Sequence, residues 1–200
     1  MNLSRFHLVK LTTPAPTLAF ALAATLAATN LLAGPAIQQW QSPGDSRVLF
    51  VAAPALPMID LQLVCDAGSA RDPAGSVALM TNSLLFSGAG KLDADAIAAG
   101  FEDLGAQTGS SVSRDMASVS LRSLSDVDHL EPALALFSQV ISEANFPETD
   151  FERERGNLKL GLEQEKQSPG ALAKRAFYQK LYDDHPYAAM SSGTELSVAE

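Results

Sequence analysis

Apolar and polar side chains alternate between residues 59 and 66. Ile59, Leu61, Leu63 and Cys65 fall on one side, and Asp60, Gln62 and Asp66 on the other. That two-residue period predicts a half-buried strand. An apolar run at 47–53 predicts a strand before it, ended by Pro54 and Pro57, and the polar stretch 37–45 reads as a lead-in. Gly, Pro and Asp gather between 68 and 75, which predicts a loop. The stretch 76–87 is then apolar nearly all round, through Val77, Ala78, Leu79, Met80, Leu84, Leu85 and Phe86. A helix of that kind is usually buried. Gly88 and Gly90 are placed to end it in left-handed geometry.

A second helix is predicted over 93–104, with Ile97, Phe101 and Leu104 on one stripe, Asp93 at its N-terminus and Gly105 closing it. The stretch 106–124 is rich in Ser, Thr and Val. Ala117, Val119 and Leu121 alternate there, and Arg114-Asp115 suits a turn, so two antiparallel strands are expected. Between 126 and 144, Leu130, Leu134, Phe137, Ile141 and Ala144 recur at helical spacing. Pro147 opens a long helix to Lys166, Pro169-Gly170 breaks it, and 171–182 forms another. The order β-β-α-α-β-β-α-α-α predicts an α+β domain: a mostly antiparallel sheet with helices packed on one face.

The first residues are patterned differently. Arg5, His7 and Lys10 precede an apolar, alanine-rich run at 17–33, and small residues follow at Ala33, Gly34 and Ala36. This is the layout of a cleaved secretory signal peptide over 1–36, leaving 37–200 as the mature domain. The alternative, a membrane anchor, is opposed by the shortness of the run and by Thr25, Thr29 and Asn30 within it. No stable membrane span is therefore expected after cleavage. Cys65 is the only cysteine, so no internal disulfide can form. It is expected to be a small buried apolar residue. An exported chain with one cysteine points to the periplasm of a Gram-negative bacterium. The net charge of −9 argues against nucleic acid as a partner.

The chemistry sits at 66–90, DAGSARDPAGSVALMTNSLLFSGAG. Gly68-Ser69-Ala70, Asp72-Pro73 and Leu85-Phe86-Ser87-Gly88, followed by GFEDLGA at 100–106, FERERG at 151–156 and His185-Pro186-Tyr187, resemble the N-terminal domain of the pitrilysin/insulinase (M16) zinc peptidases, in that family's order. The resemblance implies a pitrilysin-like or mitochondrial-processing-peptidase-like two-layer domain. It also implies a helix bearing His-x-x-Glu-His, with a further Glu on a later helix. Two His four apart can bind one zinc ion from one helix face, and the Glu between them acts as general base. On this match Leu79 and Ser83 stand at the His positions, Asn82 at the Glu, and Gly161 at the distal Glu. No shift of register restores a ligand: no histidine lies between His7 and His129, and the first glutamate is Glu102.

The other polar residues have ordinary readings. Glu163 and Glu165 lie near the distal position, but a lone carboxylate does not hold zinc. Glu152-Arg153-Glu154-Arg155 reads as a solvated helix face with paired charges. His129 stands among Asp126, Asp128 and Glu131, and His185 is accounted for by packing. The resemblance therefore implies a non-catalytic subunit with no cofactor of its own. Its expected partners are a catalytic zinc peptidase subunit of the same family and a peptide substrate, which it would help enclose and position. The alternatives are a metalloendopeptidase with a different metal site, drawing on His129 or His185, and a degenerate inactive fragment. The domain is expected to stop short of the family domain's end.

Overall fold

The computed structural model describes residues 34–72 and 75–199. The expected signal peptide thus lies outside the described residues up to position 33. The chain divides into two compact units between Leu56 and Pro57.

The first unit is an antiparallel hairpin of β1 (Ile37–Gln41) and β2 (Arg47–Val51), in register from Ile37 opposite Val51 to Gln41 opposite Arg47. The expected polar lead-in is therefore corrected to a strand. Its three glutamines hide a two-residue period that becomes visible only beside Val48 and Phe50, where the Trp40 and Phe50 rings sit 6.3 Å apart. The turn is held by Ser42, whose carbonyl accepts from Asp45 N at 3.0 Å, with Asp45 at φ 61°.

The second unit carries a three-stranded antiparallel sheet of β3 (Met58–Cys65), β6 (Gln107–Val112) and β7 (Ala117–Leu124), in the order β3-β7-β6. Between β3 and β6 come α1 (Val77–Leu84), the two-residue strands β4 (Gly88–Ala89) and β5 (Leu92–Asp93), and α2 (Ala94–Asp103). After β7 come α3 (Val127–Ser142), α4 (Glu148–Lys166), α5 (Pro169–Tyr182) and α6 (Glu195–Ala199). This is the α+β architecture expected from the pattern.

The core lies where α2 and α3 meet the sheet. Ile97 and Phe101 from α2, Ala133, Phe137 and Val140 from α3, Val119 and Leu121 from β7, and Ala89 form one buried cluster. The α2 stripe is the one the spacing predicts. The deepest line of α3 runs through Ala133, Phe137 and Val140, with Leu134 and Ile141 on its flanks. Asp93 and Asp126 cap α2 and α3, accepting from Ala96 N at 2.9 Å and His129 N at 3.2 Å.

Other expectations need correction. Cys65 is exposed. The helices pack chiefly on β6 and β7, so the apolar line of β3 is only partly covered. The helix at 76–87 is shorter than its apolar run: α1 ends at Leu84, buries Met80 and Leu84, and leaves Val77 exposed. Gly90 takes the left-handed geometry, at φ 58°. Gly88 instead enters β4 and lies so close to the segment after α3 that a Cβ there would stand 2.3 Å from Asn145 Oδ1. Finally, α5 buries no residue at all.

Candidate functional site

The residues that carry the family resemblance build the support for α1. The backbone of Ser69 and Ala70 donates to Ser113 O and Arg114 O, each at 2.9 Å. Gly68 is needed for that approach, because a Cβ there would stand 2.3 Å from Arg114 O. Asp72 then ties the loop to the helix. Its Oδ1 accepts from Gly75 N at 2.9 Å and its Oδ2 from Ala78 N at 3.0 Å, so it satisfies one of the free N–H groups of the first turn of α1.

The His-Pro-Tyr segment closes the same support from the other side. The Arg114 guanidinium lies 4.2 Å from the centre of the Tyr178 ring, and its Nε donates to Tyr187 O at 3.2 Å. The Tyr187 hydroxyl donates to Asp115, and that carboxylate raises the phenol's pKa above its ordinary value. Two motifs far apart in sequence, Gly68-Ser69-Ala70 and His185-Pro186-Tyr187, thus meet at the β6–β7 turn.

On this support α1 presents the positions in question. Leu79 and Asn82 are half-buried and Ser83 is exposed. The Ser83 hydroxyl donates back to Leu79 O at 2.7 Å. The Asn82 amide donates to Ser111 O at 3.3 Å, and the Ser110 hydroxyl donates to Asn82 O, also at 3.3 Å. Gly161 is on α4, the helix that packs against α1, and a Cβ added there would meet nothing within 4 Å. The fold therefore puts the two helices together, but their side chains do not suit a metal. Leucine and glycine donate no electron pair, and the Ser83 hydroxyl is turned onto its own helix.

Zinc, which the family implies, does not fit this set of side chains. Among the described residues no group of three or more His, Cys, Asp or Glu is arranged to hold a metal ion. Glu163 is paired with Lys166 at 3.2 Å and Glu165 with Arg175 at 2.8 Å. The hydrogen bonds that Lys166 donates to Glu195 and Glu163 hold it above its ordinary pKa. His129 Nδ1 lies 2.6 Å from Asp126 Oδ1, and that hydrogen bond holds the Asp126 carboxyl below its usual range. His185 Nδ1 accepts from Tyr187 N at 3.2 Å. Among the described residues, His129 and His185 are thus each held by a local partner. Arg153 pairs with Asp150, and Arg155 with Glu152 at 2.7 Å, as the paired-charge reading of FERERG expects.

Sequence reasoning missed Asp72 as a cap and Ser110 and Ser111 as partners of Asn82. An Asp-Pro directly ahead of an apolar run was the available signal for Asp72; nothing in the spacing marks the serines.

The family model for insulinase (peptidase family M16) matches residues 47–195. No curated protein matches the chain. A solved structure from Pseudomonas fluorescens, described as a peptidase M16 inactive domain, is 45% identical with a TM-score of 0.79, over 81% of this chain and 40% of that one. Pitrilysin matches at 20% identity and a TM-score of 0.66, over 84% of this chain and 18% of its own. The periplasmic protease PqqL from Escherichia coli matches at 17% identity and a TM-score of 0.70, over 84% of this chain and 20% of its own. The latter two show a shared fold. The chain spans less than half the length of each.

Proposed function

The chain belongs to the insulinase (peptidase M16) family, and from that premise we propose that it serves as a non-catalytic, peptidase-like subunit. It pairs with a zinc-bearing subunit of the same family, walls a shared chamber and positions peptide substrates. Hydrolysis then belongs to the partner. One observation carries this reading. The helices on which the resemblance places the zinc ligands are present as α1 and α4, and the four positions it assigns to the ligands and the general base are Leu79, Asn82, Ser83 and Gly161. Asparagine at the general-base position has no basic site with which to take a proton from water. The 45% identity to a protein described as an inactive domain supports the same reading.

The proposed compartment is the periplasm. The patterning of 1–36 supports it, as does the fold shared with a protease described as periplasmic. Among the described residues no helix is long and apolar enough to cross a membrane.

The test is co-expression of this chain with a family subunit that keeps His-x-x-Glu-His. The expected result is a complex that survives affinity purification and gel filtration, with zinc in the partner alone and cleavage that stops when a chelator is added. Failure of the two chains to associate, or chelator-sensitive cleavage by this chain in isolation, overturns the reading.

A further inference from the structure

We propose that Asn82 is a positioning residue that clips the C-terminal end of α1 to strand β6, so that the general-base position of the fold has taken on a structural task. The argument begins with the length of α1, which ends at Leu84. An α-helix leaves its last four carbonyls without partners of its own, and in α1 these include the carbonyl of Asn82. The Ser110 hydroxyl on β6 supplies one, donating to Asn82 O at 3.3 Å. The Asn82 amide returns the bond one residue further along β6, to Ser111 O at 3.3 Å.

The pair runs in both directions between the same two elements, across 28 and 29 residues of sequence. Chemistry fixes the residue type. The side chain at 82 must donate to a carbonyl, which an amide does and a carboxylate does not. A glutamate or aspartate there would set a negative charge against the Ser111 carbonyl. Acid–base function and this clip are therefore mutually exclusive at position 82. The inference rests on these contacts and on the resemblance that puts Asn82 at the general-base position, and it is independent of any partner subunit.

The experiment uses the full chain and three variants: Asn82→Asp, Ser110→Ala and the double variant. Thr81→Ala, an exposed neighbour on the same helix, is the control. Amide hydrogen exchange is followed over 84–87 and over β6, beside thermal unfolding. Asn82→Asp keeps the shape and loses the donor at neutral pH. It should speed exchange at the end of α1 by about fivefold, as expected for one net hydrogen bond. Ser110→Ala should act on the same amides. The double variant should fall short of the product of the two, since both bonds join the same elements. Control and wild type should coincide. Asn82→Asp exchanging like wild type, or fully independent effects of the two single changes, overturns the proposal. Should Asn82→Asp accumulate poorly, Ser110→Ala, which introduces no charge, still decides the matter.

Discussion

Strands β3 and β7 lie side by side with the same alternation, yet they have opposite fates. Leu61 and Leu121 face each other directly across the ladder. Leu121 is 1% exposed and Leu61 is 37% exposed. Leu63, opposite Val119, repeats the contrast at 36% against 7%. Alternation decides which face a side chain occupies; whether that face is buried depends on what lies over it. Here α3 lies over β7 at the middle of the sheet, and β3 is at its edge. Exposed apolar side chains along an edge strand are also the feature that invites pairing with another chain.

The contrast can be broken most sharply by cutting back the two leucines. Leu121→Ala should lower the unfolding free energy by about 3 kcal/mol, as lost core methyl groups and a residual cavity add together. Leu61→Ala should cost about 1 kcal/mol, since much of that side chain already meets water. Urea unfolding of both variants under one condition measures the ratio, and equal losses would show that β3 is as deeply covered as β7.

A smaller effect comes from the same face of β7. Among the described residues the Ser123 hydroxyl is buried without a hydrogen-bond partner, opposite Ile59. Ser123→Ala should stabilise the fold by about 1 kcal/mol, read from the same urea curves, because an unsatisfied buried group is removed.

The smallest effect lies on the other face, where Asp60 Oδ1 accepts from Arg122 Nε at 2.6 Å between two exposed side chains. That hydrogen bond lowers the Asp60 pKa. The pair's contribution is therefore complete above the ordinary carboxylate value and is lost as pH falls through the lowered one. NMR titration of Asp60 should show its midpoint rising toward the ordinary value in Arg122→Gln, while neutral-pH stability barely moves.

The same contrast explains what was legible in the sequence. The strand period at 59–66 and the Ile97–Phe101 stripe were readable because each is set by local geometry, whereas the glutamines of β1 hid its period. The exposure of Cys65 was not readable, because it depends on which strands of the sheet the helices cover. Strand β4 escaped notice for a related reason: its two residues are held by the segment after α3, through the bridge of Ala89 to Ala144. At the candidate site, the unsuitability of Leu79, Asn82, Ser83 and Gly161 as a zinc-binding set could be read from residue identity alone. The clip proposed for Asn82 could not, since its partners lie on another element.

The helical layer is unevenly fastened. With no residue sealed from solvent, α5 is kept in place by contacts at its rim: Arg114 against Tyr178 and Arg175 against Glu165. Rim contacts of this sort contribute far less than the oily centre shared by α2, α3 and β7. Under rising denaturant, α5 should therefore open before α2 and α3, whose buried residues belong to the core.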